Sequence, residues 1–183
     1  RMQPIDFSRI KSVGDNYKIE IDGDRFLRVV DTPGHAKHHL SFYDDLTSTL
    51  FCGDSLGVLL PGMSKIRPSA PTPDFNLEIA EHSIEKMAAL NPSKIAFPHF
   101  GVFDSDDLFG METEQLARWV DVAHFAISAG DDLTEVFRKQ FPYQSDGVNT
   151  EQAEILEKLN GFQANADGIA RYVSMADGEL SAN

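Results

Sequence analysis

Three polar motifs, each directly after a short apolar run, constrain this chain more than any other feature. Thr32–His35 follows the run 26–30, Gly53-Asp54 follows 49–52, and Pro98-His99 follows 94–97. Runs rich in β-branched and aromatic residues predict strands when Gly, Pro or Asp bounds them, so each motif is expected where a strand ends. Imidazole and carboxylate groups are ligands for zinc and for iron. If the three strand ends meet at one sheet edge, they supply half of a metal site.

Composition sets the class of protein. With 183 residues and 42% hydrophobic residues, the chain is long enough to bury a core as one domain or as a domain with an appendage. The single cysteine, Cys52, has no partner for an internal disulfide. A formal charge of -13 repels polyanions, so we expect no nucleic acid as a partner. No apolar run approaches the ~20 residues that cross a bilayer, so we expect a cytoplasmic protein without a membrane partner.

The spacing of apolar residues predicts an α/β (α+β) fold in two parts. Two hairpins, 17–21 with 26–30 and 40–43 with 49–52, favour a mixed or antiparallel sheet. A proline-rich loop over 57–75, a helix over 76–90 and a strand over 94–97 follow. After residue 109 the pattern is only helical, and Gly130 is placed to end the first of four helices. We therefore predict an α/β domain over 1–108 and a helical extension over 109–183.

Each candidate residue has a structural interpretation as well as a functional one. A histidine after Pro-Gly is often only a loop residue, and Gly-Asp-Ser is a common turn. Lys65 and Arg67 are candidates to pair with a carboxylate or phosphate of a substrate, or they are solvated cations. The apolar residues 58–60 beside them line a substrate pocket or pack against the C-terminal helices. Cys52 lacks an obvious base nearby and is expected in the core.

The three motifs together resemble the downstream half of metallo-β-lactamase-fold hydrolases of the glyoxalase II-like kind, over roughly residues 15–105. The resemblance implies the C-terminal half of an αββα sandwich, followed by the helical subdomain. It implies that His35 binds one metal ion, that Asp54 bridges two and orients the hydroxide nucleophile, and that His99 binds the other. His39 is similar to a supporting histidine that is not a ligand. Two zinc ions are implied, with iron or manganese as alternatives.

The family's upstream His-x-His-x-Asp-His motif does not occur in this sequence. The remaining histidines, His38, His82 and His124, do not replace it. His82 and His124 fall within predicted helices, where packing or surface roles are expected. We therefore expect this chain alone to lack a complete binuclear site. The missing N-terminal half is expected to have been removed or to belong to a partner chain.

The leading hypothesis is a metal-dependent hydrolase of an ester, thioester or lactone bond in a small-molecule substrate. The same ligand types also resemble those of mononuclear-iron persulfide dioxygenases, which are oxidoreductases, since imidazole and carboxylate suit both metals. A third hypothesis is a non-catalytic interaction module, in which the face meant for the missing half is exposed and drives association, including a homo-oligomer.

Overall fold

The computed structural model of the protein describes residues 5–99 and 101–181, with side chains up to residue 176. Phe100, which belongs to the motif around His99, lies outside the described residues. The strands are β1 (Lys18–Asp22), β2 (Arg25–Asp31), β3 (Leu40–Asp44), β4 (Thr49–Phe51), β5 (Lys94–Phe97) and β6 (Gly101–Asp104). The helices are α1 (Leu77–Ala88), α2 (Leu108–Ala129), α3 (Leu133–Gln140), α4 (Thr150–Asn160) and α5 (Phe162–Ser181). Short 3-10 helices cover Phe7–Arg9, Gly53–Leu56 and Tyr143–Asp146.

The six strands form one mixed sheet in the order β1-β2-β3-β4-β5-β6. Neighbours are antiparallel except β4 and β5, which are parallel because α1 crosses over between them. The alternation makes β2, β4 and β5 run in the same direction. Their carboxyl ends therefore lie at one edge of the sheet, and the predicted α+β fold with a mixed sheet is confirmed.

The two faces of the sheet differ in burial. Tyr43, Leu50 and Ile95 are adjacent in register and buried, and Ile84 and Met87 of α1 belong to the same core. On the opposite face, Phe51, Ala96 and Val102 lie side by side on neighbouring strands. Phe51 is 43% exposed there and Val102 is 63% exposed. The helices thus cover one face of the sheet.

Local signals explain the ends of the helices. The Asn76 side chain accepts a hydrogen bond from the Ile79 N–H and begins α1, close to the predicted start. Gly130 adopts a left-handed conformation with φ of 75° and ends α2, as expected. Among the described helices, none is long and apolar enough to cross a membrane.

The helical region packs around a buried aromatic cluster. Trp119 of α2 stacks on Phe141 and Phe162, with ring centroids 4.5 and 6.1 Å apart, and also contacts Phe137. Val58, Leu59 and Leu60 are buried in the same hydrophobic cluster as these helices. The apolar residues of the loop after Asp54 therefore pack in the core with the helices, which is one of the two roles considered from the sequence. The predicted boundary between an α/β domain and a helical extension at residue 108 stays a prediction.

Candidate metal centre

The common direction of β2, β4 and β5 brings the three predicted ligands to one place. His35 follows β2, Asp54 lies in the 3-10 helix after β4, and His99 follows β5. The His35 Nε2 atom is 3.7 Å from Asp54 Oδ2, and the His99 Nε2 atom is 3.2 Å from Asp54 Oδ1. Each imidazole thus faces a different oxygen of the same carboxylate. All three side chains keep partial solvent access, with exposures of 18%, 34% and 26% for His35, Asp54 and His99.

A hydrogen bond of the ring and the close packing of the preceding residue position His35. Its Nδ1 atom is 3.0 Å from the carbonyl oxygen of Ser69, an acceptor only, so in the neutral ring Nδ1 carries the proton and donates. The Nε2 lone pair is then directed at Asp54. Gly34, the residue before His35, has φ of 131°, and a Cβ at this position would be 2.5 Å from the Ala80 Cα atom. Only glycine allows the loop to pack this closely on α1.

His39 holds the backbone of Asp54. Its Nε2 atom accepts a hydrogen bond of 3.0 Å from the Asp54 N–H, so its Nδ1 carries the proton and donates to Thr32 Oγ1 at 2.9 Å. The chain continues through Ser41 Oγ, which is 2.9 Å from Thr32 Oγ1 and donates to the Cys52 carbonyl. Because both ring nitrogens form hydrogen bonds, His39 supports the Asp54 backbone and has no free lone pair for a metal.

Burial also favours the neutral form of His39. Desolvation, followed by repulsion from His35, lowers the pKa of the His39 imidazole below its ordinary value. A neutral ring is required for its Nε2 atom to accept the Asp54 N–H. Gly53, with φ of 55°, makes room for this ring, because a Cβ there would be 2.7 Å from His39 Cε1 and closer still to Nε2.

The donor set suits a divalent cation. His35 Nε2 and Asp54 Oδ2 are both acceptors, and two facing acceptors are favourable only with a proton or a cation between them. A backbone carbonyl that fixes the other nitrogen of a ligating histidine is a recurrent support of metal sites. Within residues 5–99 and 101–181, however, no group of three or more His, Cys, Asp or Glu side chains is arranged as a cation site by itself. The described chain supplies two imidazole–carboxylate pairs that share Asp54, so further ligands are needed.

The predicted substrate cations, Lys65 and Arg67, lie beside the aromatic cluster of the helical region. Arg67 is 2% exposed, and its Nη1 atom donates to Asp146 Oδ2 at 2.6 Å and to the Phe141 carbonyl. Its guanidinium lies 4.4 Å from the centroid of the Tyr143 ring, within the aromatic cluster. In the described residues, Arg67 is thus a buried cation paired with Asp146, and its role towards a substrate stays a prediction. Lys65 lines a cavity of about 110 Å³ next to it, among residues of α2 and α3.

Two buried titratable groups lie behind the site. Burial raises the pKa of the Cys52 thiol, which fits the core position expected for it. Burial also raises the pKa of Glu112 well above its ordinary value, which favours the neutral form of this carboxyl. A Cβ at Gly57, which ends the 3-10 helix that contains Asp54, would be 3.1 Å from Glu112 Oε1. Within the described part of the chain, neither group forms a hydrogen bond to the Asp54 carboxylate.

Sequence reasoning missed the groups that support the predicted ligands. Ser69 acts through its backbone carbonyl, and no sequence signal reveals such a contact. Thr32 and Ser41 act through hydroxyls that are buried beside His39, and only the strand register places them together. Thr32 stands in the Thr-Pro-Gly-His motif, so its position was the one available signal.

Comparison with known proteins points to one superfamily. The profile of the metallo-beta-lactamase superfamily matches residues 4–99, more than half of the chain. The metallo-beta-lactamase fold-containing protein ST1585 of Sulfurisphaera tokodaii is 26% identical over 151 residues, which are 82% of this chain and 55% of that protein.

Solved structures give the same fold. The archaeal metallo-beta-lactamase superfamily protein ST1585 from Sulfolobus tokodaii aligns with a TM-score of 0.59 and 22% identity over 92% of this chain and 54% of that one. A metallo-beta-lactamase family protein from Thermus thermophilus aligns with a TM-score of 0.55 and 22% identity, over 90% and 49%. This chain thus spans about half the length of the relatives it matches. The chain belongs to the metallo-beta-lactamase superfamily.

Proposed function

We propose that the complete protein is a metal-dependent hydrolase that cleaves an ester, thioester or lactone bond of a small molecule. The observation that carries this proposal is the convergence of His35 and His99 on the two oxygens of Asp54. Two imidazoles and a shared carboxylate are the ligands expected of a site for two divalent cations, zinc in the first place, with iron or manganese as alternatives. Membership of a superfamily of metal-dependent hydrolases supports the same chemistry.

Each residue has a distinct task in this proposal. His35 and His99 would each help to hold a cation through Nε2, and the Asp54 carboxylate, which faces both rings, would contribute to both positions. His39 fixes the Asp54 main chain, and its neutral form keeps the Asp54 N–H bonded. Cations bound there supply an activated water at neutral pH and polarise a carbonyl group.

The remaining ligands come from outside this chain. A segment with a His-x-His-x-Asp-His motif, on the upstream part of the same protein or on a partner chain, is proposed to complete the site. The sheet face that contains Phe51 and Val102 is the surface proposed to receive it, because exposed apolar patches of this kind mark contact sites. A shallow cavity of about 390 Å³ on this face extends from Phe42 to Val102.

The test uses the complete protein loaded with zinc. Hydrolysis of a p-nitrophenyl ester, a glutathione thioester and a γ-lactone is measured for the wild type and for His35→Ala, Asp54→Ala and His99→Ala. Loss of a supporting residue at a metal site costs about 10–100-fold, so loss of a ligand is expected to exceed about 100-fold. His82→Ala is the matched control, because His82 is 80% exposed on α1.

Equal rates in all four variants would refute the proposal. Oxygen consumption with a glutathione persulfide, without hydrolysis of any of the three substrates, would replace it with the oxidoreductase alternative.

A further inference from the structure

Two buried asparagines join the helical region to the candidate metal centre. Asn160 ends α4 and Asn165 lies in the first turn of α5, and they are 6% and 1% exposed. The Asn165 Nδ2 atom donates to Asn160 Oδ1 at 2.8 Å, and it also donates to the Gly161 carbonyl. Burying an amide side chain costs free energy unless its polar atoms find partners, so these two are held in a defined arrangement.

The same two side chains hold the segment that orients His35. Asn160 Nδ2 donates to the Pro68 carbonyl at 2.8 Å, and Asn165 Oδ1 accepts from the Ala70 N–H at 2.7 Å. Both bonds are buried. Between the two held residues lies Ser69, whose carbonyl oxygen is the acceptor for His35 Nδ1.

A third contact fixes this segment from the same side. A Cβ at Gly168 of α5 would be 2.8 Å from the carbonyl carbon of Ala70 and would overlap its oxygen. The backbone of α5 therefore touches the segment directly, one turn after Asn165. The Ser69 carbonyl is held on both sides along the chain, and its direction towards His35 follows from these contacts.

We propose that Asn160 and Asn165 are positioning residues for the metal centre, which set the ring orientation and tautomer of His35 through the Ser69 carbonyl. Both asparagines lie outside the residues 4–99 that match the superfamily profile, so the helical region contributes a support of its own. The effect on the metal rests on the proposed function, whereas the effect on the His35 ring does not.

The first test measures the His35 tautomer in the metal-free complete protein by long-range ¹H–¹⁵N correlation of the imidazole rings. The wild type is expected to carry a proton on Nδ1, bonded to the Ser69 carbonyl, with or without a second proton on Nε2 facing Asp54. Asn165→Ala is expected to populate the other tautomer, because the Ala70 N–H loses its acceptor and the segment shifts. Ile169→Ala is the matched control, since Ile169 is fully buried on the same helix and none of the hydrogen bonds described for the segment involves its side chain.

The second test measures the zinc dissociation constant by competition with a chelator. Asn165→Ala is expected to weaken binding by about 10-fold or more, which is the size found for residues that support metal ligands. Asn160→Ala removes the Pro68 bond and its partner bond to Asn165, and it is expected to weaken binding in the same direction. It decides the question if Asn165→Ala does not fold.

The outcomes separate the two proposals. An unchanged tautomer and zinc affinity in both asparagine variants, or equal changes in Ile169→Ala, would overturn the positioning role. A changed tautomer in a protein whose wild type binds no zinc would support the positioning role and refute the proposed function.

Discussion

Replacing Gly53 with alanine tests how closely the support of Asp54 is packed. Gly53 has φ of 55°, and its missing Cβ leaves the space that the His39 ring occupies. Alanine there introduces both a strained backbone and a collision with the ring nitrogen that accepts the Asp54 N–H. Gly23, in the turn between β1 and β2, provides a matched control, because it has φ of 56° and no atom lies within 4 Å of the position that an alanine Cβ would take.

The two substitutions share one cost and differ in another. A left-handed conformation costs alanine about 1–2 kcal/mol, and the stiffer unfolded chain returns about 0.4–1 kcal/mol. Gly23→Ala is therefore expected to lower the free energy of unfolding by about 1 kcal/mol. Gly53→Ala adds the loss of the bond between His39 and the Asp54 N–H, which is worth about 1–3 kcal/mol where a donor is left unsatisfied. Its total cost is expected to be about 2–4 kcal/mol.

Urea unfolding of both variants and of the wild type measures these costs, and a chelator competition measures zinc affinity. Gly53→Ala is expected to weaken zinc binding by about 10–100-fold, because His39 supports a ligand, whereas Gly23→Ala leaves it unchanged. Equal destabilisation of the two variants to within about 0.5 kcal/mol, with equal zinc affinity, would refute this view of His39 and Gly53.

Three further predictions concern the core and the open sheet face. Burial raises the pKa of folded Glu112, so above about pH 4.5 the unfolded chain ionises this carboxyl more readily than the folded protein does. Wild-type stability is therefore expected to fall relative to Glu112→Gln as pH rises from 5, and an equal difference in urea midpoint at pH 5 and at pH 7 would contradict this. Arg67→Ala is expected to lower the free energy of unfolding by about 3–5 kcal/mol, because it leaves Asp146 buried without its partner. Lys94→Ala, at an exposed ion pair, is expected to cost under about 1 kcal/mol. Similar shifts of the melting temperature in both variants would refute the role of Arg67 as the buried partner of Asp146. If the upstream part of the complete protein covers the sheet face that contains Val102, Val102→Asp is expected to destabilise that protein by about 3 kcal/mol or more, and Val102→Thr much less. Equal unfolding midpoints of the two variants would mean that this sheet face is open to solvent.

The strand ends that precede the candidate ligands could be predicted from the sequence, because local patterns specify them. The apolar runs before Gly34-His35 and Gly53-Asp54 end at residues that break strands. In the structure these runs form β2 and β4. Gly130 was an equally local signal for the end of a helix. The sequence did not predict β6, because its four residues begin with a glycine directly after the motif of His99, where a loop is expected.

The supports of the site depend on contacts between distant parts of the chain. The sequence left Arg67 as a substrate-pairing or a solvated cation, because no local pattern reveals its partner. That partner, Asp146, is 79 residues away in sequence. The acceptor for His35 is a backbone carbonyl, and every residue has one, so the sequence carries no signal for Ser69. Tertiary packing decides such contacts, and periodicity and turn chemistry report only on local structure.

The metal content of the purified complete protein tests the central claim most directly. After loading with zinc and removal of the excess, elemental analysis is expected to find bound metal in the wild type and in His82→Ala, and less in His35→Ala and His99→Ala. Asp54→Ala is expected to lose the most, because its carboxylate faces both histidines. Metal content that is the same in all five proteins, or absent from the wild type, would contradict the account.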